Sequence, residues 1–131
     1  MARIRTIKPE FVLSRSVGNL SRDARLLFIL LWPICDDEGR FHADSRILAG
    51  QLYPYDRDAA DLLDGWLVEL EQEGNIERYQ VKGVPYLRVT NWSKHQKIDH
   101  PSKFGFPGPN DDSRERREPS RESRSVSSTC T

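Results

Sequence analysis

From Leu26 to Trp32 the chain reads LLFILLW, a run without one polar side chain. It lies inside SRDARLLFILLWPICDDEG. Ser21 there is an N-cap residue, and Asp23 suits the positive end of a helix dipole. The segment predicts a central helix over residues 21–35, with Pro33 tightening or kinking its last turn. A helix that is apolar all round must be surrounded by protein. At this length the run is far short of a membrane span. The rest of the chain must therefore supply a shell around it.

That shell has to come from the first hundred or so residues. The chain has 131 residues, 37% hydrophobic and 31% charged, room for one ordinary domain. From Asn110 onward it reads NDDSRERREPSRESRSVSSTCT, where Val126 is the one sizeable aliphatic residue. Such a segment cannot offset the entropy of ordering its backbone. The expected division is a domain over residues 1–105 and a disordered Ser/Arg/Glu tail over residues 106–131.

Around the central helix the signals run in order. Pro9 suits the first turn of a short helix reaching about Val17, ended by Gly18-Asn19. After residues 21–35, Asp36-Asp37-Glu38-Gly39-Arg40-Phe41 is a turn leading into a very short extended piece. Asp44 caps a second helix over residues 45–52, which Tyr53-Pro54-Tyr55 breaks. Asp56 caps a third, reaching Glu73, with Ala59, Leu62, Leu63, Trp66, Leu67 and Leu70 as its apolar stripe and Gly74 as its C-cap glycine. The period then changes. Ile76, Tyr79 and Val81 precede Lys82-Gly83, and Val84, Tyr86, Leu87 and Val89 follow, a hairpin pattern. Residues 91–98 read as a last short helix or an extended arm. Helix, short strand, helix, helix and hairpin make a mainly α chain with a β-hairpin. This is the α+β order of a winged helix-turn-helix, with a three-helix core and a two-stranded wing.

Net charge is zero, but it is segregated. Residues 1–15 hold Arg3, Arg5, Lys8 and Arg15 against Glu10. Residues 16–80 hold 6 basic and 13 acidic side chains. Residues 81–103 hold Lys82, Arg88, Lys94, Lys97 and Lys103 against Asp99. Two basic segments flank an acidic middle, a more informative fact than the mean. Cys35 and Cys130 form no CxxC, and His42, His95 and His100 lack metal-ligand spacing, so neither a disulfide nor a metal or other cofactor is expected. Asp36, Asp37 and Glu38 belong to a turn rather than a cation loop. Phosphate loops and nucleophile motifs are missing, so no enzyme is expected. MARIRTIKPEF has no apolar stretch of the kind a secretory signal carries, and the expected location is the cytoplasm.

Three blocks carry a resemblance: MARIRTIKPEF, LSRDARLLFILLWPICDDEGRF and VKGVPYLRVTNWSKHQKIDHPS, in that order over about residues 1–105. They resemble the N-terminal winged helix-turn-helix domain of phage and prophage replication-initiation proteins. These are the replisome organisers, loosely related to the DnaD-like primosomal winged helix. DDEGR at 36–40 and NWSKHQKIDHPS at 91–102 are the most specific parts. The resemblance implies binding of double-stranded DNA during replication initiation in a bacterial host cell. Longer relatives continue into a linker and a second domain where this sequence has its Ser/Arg/Glu tail, so helicase recruitment is not carried over.

The candidate DNA contacts follow from charge and position. Arg3, Arg5 and Lys8 form an N-terminal arm, with Ile4 and Ile7 between the charges to pin it. Lys82 stands at the wing tip and Arg88 on its second strand. Asn91, Lys94, His95, Gln96 and Lys97 form a basic, polar cluster beside Trp92, in which His95 reads as a hydrogen-bonding residue; Lys103 closes the segment. Contacts of this kind go mainly to phosphates. The third helix opposes them, because Asp58, Asp61, Asp64 and Glu69 would be repelled by phosphates and Arg57 is its one base. Its acidic face is solubilising, or it meets a protein. The alternative reading is therefore an interaction module that oligomerises, loads a replication enzyme or antagonises a host nucleic-acid-binding complex. A transcription regulator would differ in the DNA site alone.

Overall fold

The computed structural model describes residues 3–97 and 105–109. A 3-10 turn, Pro9–Leu13, leads into α1 (Arg15–Gly18) and α2 (Arg22–Ile34). Then come β1 (Arg40–His42), α3 (Ser45–Leu52), α4 (Ala59–Gln72), β2 (Ile76–Val81), β3 (Val84–Val89) and α5 (Trp92–His95). The chain is α+β, with a three-stranded antiparallel sheet in the order β1-β3-β2.

Local chemistry sets the boundaries. Ser21 caps α2, its Oγ accepting from Ala24 N at 3.1 Å. Asp44 caps α3, its Oδ1 accepting from Arg46 N at 2.8 Å and Ile47 N at 3.2 Å. Beyond α4, Asn75 N reaches Leu70 O at 2.8 Å and Gly74 N reaches Glu71 O at 3.0 Å. This is a Schellman closure, and it needs the left-handed backbone of Gly74 (φ 77°). Lys82 and Gly83, at φ 53° and 82°, form a hairpin turn of the mirror-image kind that matches strand twist.

Ala24, Leu27, Phe28, Leu31 and Trp32 of α2 face the core. They meet Leu48 and Ala49 of α3, Leu63, Leu67 and Leu70 of α4, and Phe41, Leu87 and Val89 of the sheet. Helices α2, α3 and α4 pack on one another.

Five details differ from the sequence expectation. The helix expected over residues 9–17 is broken at Ser14, whose extended backbone (ψ 130°) separates the 3-10 turn from α1. The wing is not an isolated pair, because β1 joins it through Phe41↔Leu87 and His42↔Tyr86. Helix α4 begins at Ala59, since residues 53–58 are spent in a turn closed by Asp56 N to Tyr53 O. The apolar run of α2 is not enclosed, because the outer stripe is left uncovered and Leu26 is 46% exposed. The expected tail begins too early, because Phe106 packs on Phe41, His42 and Tyr86. Lys103, Cys130 and the remainder of the expected tail from residue 110 lie outside the described residues. Cys35 is buried and free, and burial pushes its thiol pKa up. Among the described residues no helix is long and apolar enough to cross a membrane.

Candidate nucleic-acid interface

The three blocks that are far apart in sequence meet at the turn between α2 and β1. Asp36 is buried there, and its Oδ1 accepts from Glu38 N and Arg40 N, each at 2.9 Å. Its Oδ2 accepts from Phe106 N at 2.6 Å. Burial raises the pKa of this carboxyl, and the backbone donors oppose the rise. Arg40 holds the same segment, donating to Phe106 O at 3.1 Å and pairing with Glu38 at 3.0 Å. Tyr79 adds an O–H to Pro107 O at 2.6 Å.

On the other side of the turn lies the N-terminal arm. Arg3 N donates to Pro33 O at 2.8 Å. The Arg5 guanidinium donates to Trp32 O at 3.3 Å, Cys35 O at 3.1 Å, Asp36 O at 3.3 Å and Asp37 Oδ1 at 3.3 Å. Both side chains of the Arg5–Asp37 pair are 6% exposed. Arg5 also stands over the Trp92 ring, 5.1 Å from its centroid. The Trp92 indole N–H donates to Asp37 O at 2.9 Å. Gly39, at φ 78°, lies so close beneath this ring that a Cβ would come within 2.9 Å of it.

Gln96 completes the clasp. Its Oε1 accepts from Thr6 N at 3.1 Å and its Nε2 donates to Thr6 O at 2.7 Å. The side-chain amide thus pairs with the arm as a neighbouring strand would. Gln96 is buried, and a buried amide left unpaired would carry a desolvation penalty.

This geometry redistributes the expected contacts. Arg5 is removed from the candidate DNA surface, because its side chain is 6% exposed and its Nε and one terminal nitrogen are spent on carbonyls and Asp37 inside the protein. His95 is removed as well. Its ring sits among Phe11, Phe28 and Trp32, with centroids 6.4, 5.7 and 5.0 Å away. Burial lowers its pKa, and the charge of Lys8 lowers it further. Arg3 pairs with Asp37 at 3.2 Å while its side chain stays 39% exposed. Arg88 pairs with Glu77, its register partner on β2.

What the clasp leaves outside is a lysine group. Lys8, Lys94 and Lys97 are exposed, and the Thr6–Gln96 tie brings the segments carrying them together. Asn91 is exposed beside them, held at φ 55° in the turn that starts α5. Lys82 is exposed at the far end of the hairpin, about 17 Å along β3 at the usual rise per strand residue. Arg57 is exposed in the turn before α4.

The acidic candidates divide in the same way. Glu69 accepts from Ser21 N at 2.8 Å and Ser21 Oγ at 2.9 Å, so it closes the start of α2. Asp64 and Glu71 pair with Arg78 at 3.3 and 2.9 Å. Asp58 and Asp61 face solvent beside the exposed Leu62.

Asp37, Arg40 and Phe106 are the structural residues that sequence reasoning missed, and Gln96, grouped with the basic cluster, is instead a tie to the arm. Gln96 carried one weak signal, a polar residue four positions after a core tryptophan. Comparison with protein-family models, with curated proteins and with solved structures gives no match.

Proposed function

We propose that this chain is a winged helix-turn-helix protein of phage or prophage origin that binds duplex DNA through phosphates during replication initiation. The observation that carries the reading is the union of element order and charge. Helix α2, strand β1, helices α3 and α4 and the β2–β3 hairpin follow the winged order, with β1 on the outer side of β3. At the base of that hairpin Lys8, Lys94 and Lys97 are exposed on the two segments that the Thr6–Gln96 tie joins. Helix α4 would ordinarily enter the groove, but it presents Asp58 and Asp61 near its start. Backbone contact from the arm, α5 and the wing is therefore favoured over base readout.

The test is fluorescence anisotropy on a random duplex across a salt series. Log K should fall by about 0.9 per phosphate contact for each decade of salt. Replacing Lys8, Lys94 and Lys97 together by Ala should weaken binding and flatten that slope by about 2–3 contacts. Affinity and slope both unchanged in the triple variant would overturn the contact assignment. Selection of bound fragments from the source genome separates an origin-binding role from transcription regulation. A second reading, an interaction module working through α4, is favoured by Asp58 and Asp61 lying beside exposed Leu62, with exposed Tyr55 in the preceding turn.

A further inference from the structure

The outer stripe of α2 is the part of the molecule that the DNA-binding reading leaves unused. Arg22, Arg25, Leu26 and Ile29 share this stripe by the i, i+3, i+4 spacing of a helix. Beside it, the 3-10 turn and α1 leave an open cleft of about 290 Å³ lined by Phe11, Val12, Val17, Arg22, Arg25 and Ile29. Val12, which lines it, is 73% exposed, and the adjoining Leu13 is 82% exposed.

The charges at the cleft are of one sign. Arg22 and Arg25 stand at the N-terminal end of α2, where the helix dipole disfavours cations. Neither makes an ion pair among the described residues. The Nε of Arg25 is buried without an acceptor. An apolar floor with two guanidinium groups along one wall is complementary to a segment that offers both an aliphatic side chain and a carboxylate. Duplex DNA offers the anion without the apolar group.

We propose that this cleft docks an acidic, apolar peptide segment of another protein. An aliphatic side chain of the segment rests on Phe11, Val17 and Ile29, and its carboxylates meet Arg22 and Arg25.

The probe is a fluorescein-labelled peptide of alternating Asp and Leu, titrated into the full chain, beside the same peptide with Asn in place of Asp. The Asp peptide should bind at least about tenfold more tightly than the Asn peptide, the size of a lost charge-assisted hydrogen bond. Arg22→Gln with Arg25→Gln should remove that preference. Val12→Ser with Leu13→Ser, at exposed positions that leave the core intact, should weaken both peptides; circular dichroism and melting verify the fold of each variant. Undiminished binding in both double variants overturns the proposal. So does a loss of duplex affinity in the arginine variant that matches its loss of peptide affinity, because the surface is then a phosphate site. Sedimentation showing self-association that Arg25→Gln abolishes also overturns it, in favour of a second copy as occupant.

Discussion

The two ends of α2 carry arginines with opposite fates. At the C-terminal end, the Arg5 side chain is buried, donates to three carbonyls and a carboxylate, and stands over an aromatic face. At the N-terminal end, Arg22 and Arg25 border an open cleft, and one buried donor has no acceptor. The residue type is the same, but Arg5 reaches the helix from the arm whereas Arg22 and Arg25 belong to it. The difference lies in what the rest of the chain folds back to supply. Around the Asp36–Asp37 turn three segments gather, from residues 3–6, 92–96 and 105–109. Around Arg22 and Arg25 the 3-10 turn and α1 bring apolar side chains, and no carboxylate among the described residues pairs with either. A charge in a sequence thus becomes structural or available according to contacts that are remote along the chain.

The sharpest way to break this contrast is at Arg5. Arg5→Ala takes the donor from three buried carbonyls and leaves Asp37 to Arg3, and should cost about 3–5 kcal/mol in urea unfolding. Arg25→Ala, in a domain of otherwise identical sequence, should change stability little or even raise it. If the two losses are equal, the contrast fails.

Gly39→Ala comes next. Strain at positive φ and overpacking against Trp92 should together cost about 3 kcal/mol. The local signature is a shift in tryptophan fluorescence ahead of global unfolding.

Trp92→Phe keeps an aromatic ring under Arg5 but removes the donor to Asp37 O, an expected loss of about 1–3 kcal/mol. A double-mutant cycle with Arg5→Ala should show coupling, because the two side chains touch.

A smaller effect is expected from pH. The pKa of His95 lies below its ordinary 6.5 in the folded chain, so the unfolded chain takes up a proton first as pH falls. Stability should decline on the acid side of 6.5, and His95→Phe should lessen that decline in urea midpoints measured on either side of it. Burial acts on His42 in the same direction, so some decline persists in the variant. Asp36 has the opposite sign at lower pH. Its raised pKa means that the folded chain is protonated first as pH falls toward 3.8, which offsets part of the loss there.

Smallest in stability is the lysine group. Single changes of Lys8 or Lys94 to Ala should stay within about 0.5 kcal/mol, as for surface positions without special contacts. A larger loss at either would place that lysine inside the clasp.

These contrasts also explain what was legible in the sequence. The starts of α2 and α3 were readable because Ser21 and Asp44 act within three residues of themselves. Lys82-Gly83 fixed the hairpin for the same local reason. The pairing of β1 with β3 was not readable, since three residues carry too little pattern to name a partner forty-odd positions away. The burial of Arg5 and His95 was hidden because their usual place is solvent. Phe106 was hidden among glycines and prolines, yet those glycines are what permit the approach. A Cβ at Gly105 would come within 2.7 Å of Asp36 Oδ2, and one at Gly108 within 2.8 Å of the Arg40 guanidinium. At the candidate interface, Lys8, Lys94 and Lys97 were named from charge alone, but nothing local told them apart from Arg5.

One consequence of the clasp is mechanical. Residues 3–5 and Phe106 are fastened to the same five-residue turn, Asp36 to Arg40, so both ends of the described chain leave from one place. Tension applied between the ends runs through that turn and bypasses α3 and α4. The unit can therefore be spliced into a loop of another protein, or cut elsewhere and rejoined end to end, with the helical core left unloaded.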